Sequence, residues 1–162
     1  MELFDLSDRV AIVTGSTKGI GKAIAARMCQ HGAKVVISSR KGDACAAVME
    51  EINRDYAANG GEAISIPAHV GVEEDLRRLV DQTLDKWGKI TTLVPNAAAN
   101  PYYGPSAEMP ESAFDKIWEV NVKSVFKLCH MVLPGMTAAA GGSIIIIASN
   151  SGLKGSVELS GY

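Results

Sequence analysis

Four times in succession a short apolar run gives way to a longer stretch with apolar residues at helical spacing, and a fifth apolar run closes the series. The runs are Val10 to Thr14, Lys34 to Ser38, Ala63 to Ala68, Ile90 to Val94 and Ser143 to Ala148. Between them the spacing predicts helices from Ile20 to Gln30, Asp43 to Ala58, Glu73 to Trp87 and Glu111 to Ala139. Gly32, Asn59-Gly60-Gly61 and Gly88 stand where the first three should stop, and Pro134 stands where it could kink the fourth. Strand–helix–strand repetition requires crossover connections, hence a parallel sheet covered by helices on both faces. The run Ile144-Ile145-Ile146-Ile147 is apolar on both sides, as a strand inside such a sheet must be. The expected architecture is α/β, a doubly wound parallel sheet.

Composition excludes several alternatives. In 162 residues, 47% hydrophobic and 21% charged, the chain has the apolar content for one core and domain. Its 16 Lys+Arg against 18 Asp+Glu leave no basic excess for nucleic acid or an anionic membrane, and no run approaches the roughly 20 apolar residues of a membrane span. MELFDLSDR lacks the apolar core of a signal peptide. Cys29, Cys45 and Cys129 are too scattered for a disulfide framework, and His31, His69 and His130 lie on separate elements without ligand spacing, so no metal site is expected. A reducing cytoplasm fits best.

Ligands of doubly wound sheets collect at the carboxyl ends of the strands. After the first strand the chain reads Thr14-Gly15-Ser16-Thr17-Lys18-Gly19-Ile20-Gly21, with the helix starting inside it. Glycine allows a sharp turn and close backbone approach to a phosphate, and the helix N-terminus presents N–H groups and a positive dipole end to a pyrophosphate. A nucleoside-triphosphatase loop would need Gly-Lys-Ser/Thr with four residues between its glycines. Here Gly21-Lys22 is followed by Ala23, and Ser16 occupies the first glycine's place.

With these spacings the chain resembles the short-chain dehydrogenase/reductase family, whose cofactor loop has the form Thr-Gly-x-x-x-Gly-Ile-Gly. The resemblance implies a Rossmann fold, strand order 3-2-1-4-5, and a nicotinamide cofactor held by Gly15, Ser16, Thr17, Lys18, Gly19, Ile20 and Gly21. Where NAD-selective folds place an acid after the second strand, this chain has Ser39, Arg40 and Lys41. A carboxylate would repel a 2′-phosphate, whereas a hydroxyl beside a guanidinium binds one, and Lys18 can join them; the expected cofactor is NADP(H). His69-Val70 replaces the family's aspartate at the adenine amine, and Pro95-Asn96-Ala97-Ala98 replaces Asn-Asn-Ala-Gly. Asn96, Ala97 and Ala98 are thus further cofactor residues, and these variants are similar to the NADPH-dependent carbonyl and retinal reductase branch.

The family's catalytic pattern is Tyr-x-x-x-Lys, in which the ammonium lowers a phenol pKa ordinarily near 10. Tyr162 matches the tyrosine and is the last residue of the sequence. Ser149, thirteen positions earlier, matches the serine that binds the substrate carbonyl, and Asn121 the asparagine of the proton path. The implied reaction passes a hydride between NADP(H) and a carbonyl or alcohol, with Tyr162 exchanging the proton. The alternative is an NADP(H)-binding protein without catalysis, such as an inactive truncated relative. Family members are longer, so the sequence is expected to be a single dinucleotide-binding domain (residues 1–162) lacking its C-terminal third, inactive by itself.

Asn100-Pro101-Tyr102-Tyr103-Gly104-Pro105 and Leu153 to Leu159 should border the substrate, and suit a lipophilic or aromatic carbonyl compound. On the long helix, Lys116, Glu119, Lys123, Lys127 and His130 form one polar stripe, while residues such as Phe114, Trp118, Val122, Phe126 and Leu133 widen the apolar face beyond what a sheet alone can cover. That excess predicts a homo-oligomer, dimer or tetramer, through residues 111–139.

Overall fold

The computed structural model describes residues 4–155, 158, 159 and 161. Five parallel strands, β1 (Val10–Thr14), β2 (Lys34–Ser38), β3 (Glu62–Ser65), β4 (Thr92–Val94) and β5 (Ser143–Ile144), form one sheet in the order β3-β2-β1-β4-β5. This is the doubly wound fold and strand order that the sequence implies. Ile12 lies opposite Val36 on one side and Leu93 on the other, which makes β1 the centre of the sheet.

The strands' period of two divides the core into two layers. Ala11, Val13, Val35 and Ile37 face α1 (Gly19–Gln30) and α2 (Gly42–Tyr56), meeting Ala25, Cys29, Val48 and Ile52. Ile12, Val36 and Leu93 face α3 (Glu73–Trp87) and the helix over Ser124–Ala138, where Leu76, Leu79, Leu128 and Val132 close the second layer. Each fully buried Leu, Ile or Val contributes about 1.5–3 kcal/mol.

The helix starts differ in charge. The first turn of α3 carries Glu73, Glu74 and Asp75, which complement the helix dipole, and Gly88 ends the helix at φ 73°. By contrast, α1 has no acid in its first turn; neither helix has a side chain capping its N-terminus.

Four readings of the elements are corrected. The third strand is shorter than Ala63 to Ala68 because Pro67 has no N–H to give the ladder, although Ile66 and Ala68 still donate to Ile37 and Ser39 carbonyls. The fourth begins at Thr92, since Thr91 exchanges hydrogen bonds with Val10 through its hydroxyl as well as its backbone. The long helix is two, α4 (Glu111–Trp118) and α5 (Ser124–Ala138), joined by a π turn at Glu119–Lys123, and Pro134 lies within α5. Finally, the fifth strand spans only Ser143–Ile144 rather than Ser143 to Ala148, with β4 as its one neighbour among the described residues. Ile145 and Ile147 continue its hydrogen bonds to Leu93 and Pro95, but no described strand lies beyond it, and Ile145 and Ile146 are 50% and 55% exposed.

Candidate active site

The loop after β1 is built around side chains that face inward. Gly15 turns at φ 67°, and Ser16, fully buried, accepts the Ser38 N–H at 2.8 Å and donates its hydroxyl to the Val13 carbonyl at 2.7 Å. Ser16 also donates its own N–H to the Ser38 carbonyl at 3.2 Å, so this residue ties β1 to β2. From β4, Asn96 donates Nδ2 to the carbonyls of Thr14 (2.9 Å) and Gly15 (3.2 Å), while Thr14 Oγ1 accepts the N–H groups of Asn96 (3.0 Å) and Ala97 (3.1 Å). Gly21 is enclosed by this arrangement: a Cβ there would lie 2.4 Å from Asn96 Nδ2 and 2.5 Å from the Gly15 carbonyl oxygen. Gly19 differs. It is left-handed at φ 56°, with open space where a Cβ would point, beside the uncapped start of α1 that Thr17, Lys18 and Ile20 flank.

At the end of β2, Ser39 Oγ lies 3.2 Å from the thiol of buried Cys45. Among the described residues, Lys18, Arg40 and Lys41 are exposed and make no ion pair. Ser38 Oγ is buried without a hydrogen-bond partner. Beyond β3 the chain forms a tight turn in which His69 N–H donates to Asp75 Oδ2 at 2.7 Å and Gly71 N–H donates to His69 Nδ1 at 3.0 Å; Val70, half-buried, lies between them. The His69 N–H and then the Arg78 guanidinium hold the Asp75 carboxyl below the usual range, against the opposing effect of burial.

A cleft of about 230 Å³ opens at the ends of β4 and β5 and brings together Ala97, Ala98, Asn121 and Ser149, with Val125 and Ile147 among its apolar walls. Asn121, in the π turn, accepts the Ala99 N–H at 2.8 Å and donates to the Ala99 carbonyl at 3.0 Å, which pins the loop after β4. Ser149 Oγ accepts the Ser151 N–H at 3.1 Å. Tyr162, the proton donor implied by the sequence, lies outside the described residues. Tyr102 and Tyr103 have different surroundings. The Tyr102 hydroxyl donates to the Pro105 carbonyl at 2.9 Å, its ring leaving no room for a side chain at Gly104, whereas Glu158 pushes the exposed Tyr103 phenol above its ordinary value.

Sequence reasoning missed the contacts that hold the site. Thr14, read only as part of the glycine loop, and Ala99 anchor Asn96 and Asn121 from far along the chain, and the Asp75 carboxylate anchors His69 from nearby. Only the acid-rich start of α3, six residues after His69, carried a local signal for Asp75.

The residues present fit a dinucleotide: the α1 terminus offers unpaired N–H groups, and Gly19 leaves space above it. Exposed cations without ion pairs among the described residues sit at the end of β2. The family model described as short chain dehydrogenase matches residues 9–162. The chain is 44% identical over 147 residues to dehydrogenase/reductase SDR family member 4 of Oryctolagus cuniculus, covering 89% of this chain and 54% of that protein. Among solved structures, a metagenomic short-chain oxidoreductase in complex with NADP superposes with a TM-score of 0.88 at 34% identity, covering 97% of this chain and 69% of that one. A 7α-hydroxysteroid dehydrogenase complexed with NADH and 7-oxo glycochenodeoxycholic acid also gives 0.88, at 32% identity, covering 98% and 60%. The chain spans about half the length of the curated relatives it matches.

Proposed function

The chain belongs to the short-chain dehydrogenase/reductase family, and from that premise we propose that it serves an oxidoreductase that uses NADP(H) to interconvert a carbonyl compound and its alcohol. One observation carries the reading: the open N-terminus of α1 and the cleft holding Ala97, Ala98, Asn121 and Ser149 lie along the same edge of the sheet, at the ends of β1, β4 and β5. A single extended dinucleotide can reach from one to the other.

In this reading Gly15, Thr17, Gly19, Ile20 and Gly21 receive the pyrophosphate on backbone, with Ser16 and Asn96 positioning the loop from behind. Ser39, Arg40 and Lys18 take the 2′-phosphate, His69 and Val70 border the adenine, and Ala97 and Ala98 line the path toward the cleft. When bound, the reduced nicotinamide supplies a hydride to the carbonyl carbon. Ser149 already accepts from Ser151, so its O–H is left to donate to the substrate carbonyl oxygen. Tyr162 gives its phenolic proton to that oxygen as the alcohol forms, and Asn121 holds the adjoining loop through Ala99. The cleft walls Val125, Ile146 and Ile147 favour a lipophilic or aromatic substrate, a reading that the steroid ketone bound to one relative supports.

The protein is further proposed to be a homo-oligomer. Phe114, Trp118, Val122, Phe126 and Leu133 are all exposed, recurring every four or seven residues along one face, opposite buried Ile117, Leu128 and Val132. Residues 1–162 are read as one dinucleotide-binding domain, and three free thiols suit the cytoplasm; no helix among the described residues is long and apolar enough to cross a membrane.

Calorimetric titration tests the cofactor. NADPH should bind at least about ten-fold tighter than NADH, and equal or tighter binding of NADH would overturn the assignment of Ser39, Arg40 and Lys18. Ketone-dependent oxidation of NADPH tests the reaction: Ser149→Ala should lower the rate about 10²-fold or more without changing NADPH affinity. A variant of unchanged rate would remove Ser149 from the mechanism.

A further inference from the structure

His69 stands where the family resemblance leads one to expect an aspartate, and its hydrogen bonds limit what the imidazole can offer a ligand. Gly71 N–H donates to Nδ1 at 3.0 Å. A backbone N–H can only donate, so Nδ1 is the lone-pair nitrogen, and the neutral ring carries its proton on Nε2. Glycine at 71 is part of the device, because a Cβ there would come 3.1 Å from His69 Cε1 and 3.3 Å from Nδ1. The backbone under the ring is fixed as well. His69 N–H donates to Asp75 Oδ2 at 2.7 Å, its carbonyl accepts Val72 N–H at 2.8 Å, and Asp75 is paired with Arg78 at 2.7 Å. Ala68 N–H donates to the Ser39 carbonyl at 3.0 Å, which anchors the turn to the end of β2 beside Arg40. Among the described residues Nε2 has no protein partner, and it is not sealed from solvent.

We propose that His69 reads the cofactor's purine as a hydrogen-bond donor, through Nε2–H to an acceptor atom of the base. It does not accept from the exocyclic amine as a carboxylate would. This rests on the NADP(H) reading above. In a doubly wound sheet the pyrophosphate lies at the first helix and the adenosine ribose at the end of the second strand, so the base continues toward the end of β3, where His69 is held. The two kinds of reader favour different bases. A carboxylate binds adenine's 6-amino group and repels a 6-oxo group. An Nε2–H binds N3 or N7, acceptors that adenine and hypoxanthine share, and it does not repel the 6-oxo oxygen of hypoxanthine. The purine site therefore discriminates little between NADPH and its hypoxanthine analogue.

The experiment is a pair of Kd measurements, NADPH and nicotinamide hypoxanthine dinucleotide phosphate (reduced), on the unaltered protein and on two variants. The unaltered protein should bind the two within about three-fold of each other. His69→Asp should prefer NADPH by about ten-fold or more, and His69→Phe, which keeps a flat ring but no donor, should weaken both by a similar several-fold factor. Tight NADPH binding with ten-fold rejection of the analogue by the unaltered protein would overturn the donor reading while leaving the cofactor assignment standing. A ratio unmoved in His69→Asp would likewise overturn it. No binding of NADPH at all would overturn the cofactor reading and this inference together. The first comparison needs no variant, so misfolding of a mutant cannot shield the proposal.

Discussion

β1 and β5 are both apolar strands whose carboxyl ends border the candidate site, yet they are secured in different ways. All five residues of β1 are buried between β2 and β4, and the loop that follows is tied down by Ser16 to β2 and by Asn96 and Thr14 to the β4 end. Among the described residues β5 pairs with β4 alone, Ile145 and Ile146 are about half exposed, and the turn that follows is closed locally, by Ser149 with Ser151. Beyond it Leu153 is 88% exposed. The phosphate-facing end is thus preorganised by long-range side-chain hydrogen bonds, whereas the serine-facing end has long-range backbone bonds to Leu93 and Pro95 and only a local side-chain bond at Ser149. Local stability follows such contacts, so the two ends of one cleft should respond differently to the same kind of change.

The largest effect is expected where the first end is tightest. Gly21→Val forces a side chain against Asn96 and the Gly15 carbonyl, so it should cost about 3 kcal/mol, read as a lower urea midpoint, and NADPH binding should be lost with it. Gly19→Ala is the control. It strains a left-handed backbone by about 1–2 kcal/mol but meets nothing, so any loss of NADPH affinity beyond that points to the ligand's own approach. Equal losses of stability in the two variants would erase the distinction between a glycine needed for packing and one needed for a ligand.

Asn96→Asp should come next. Its carboxylate would face the Thr14 and Gly15 carbonyl oxygens that Nδ2 now satisfies, at a cost of about 2 kcal/mol, measured by the same denaturation. Little change would mean that the loop keeps its shape without β4.

Much of this contrast was legible in the sequence, and the illegible part has a physical cause. The helix starts and stops over Glu73 to Trp87 are written in adjacent residues, acids before and glycine after, and the structure agrees to the residue. The glycine loop was visible for the same reason. What could not be read is held by pairs distant in sequence: Asn96 on Thr14, Asn121 on Ala99. The π turn is another case, since its sequence Glu119-Val120-Asn121-Val122-Lys123 keeps an ordinary helical pattern while Asn121 bonds outside the helix. The isoleucines around β5 report that burial is called for but not what provides it, because an apolar run does not name its neighbour.

The acid response of the β3 turn gives a smaller test, of about 1 kcal/mol. The Asp75 carboxyl is held below its usual range by the His69 N–H and Arg78. Its folded value lies under the unfolded one, so its contribution is complete above the ordinary aspartate value of about 3.9 and fades as pH falls through the lower folded value. Asp75→Asn should therefore be less stable than the parent at neutral pH, and the gap in urea midpoint should narrow on acidification below about pH 4. A gap that stays constant across this range would assign the effect to packing.

The smallest expected effect bears most directly on β5. Ile146, just past β5, is 55% exposed, so Ile146→Thr, which keeps a β-branched side chain, removes little apolar contact and should change stability by less than about 0.5 kcal/mol. The matched change at the centre, Val13→Thr, places a hydroxyl in a fully buried position between β2 and β4 and should cost about 1–3 kcal/mol. Because both substitutions introduce threonine into chain running parallel to β4, the difference between them mainly reports burial. If Ile146→Thr instead costs as much as Val13→Thr, this position is buried in solution, and the contrast between the two strands in burial is lost.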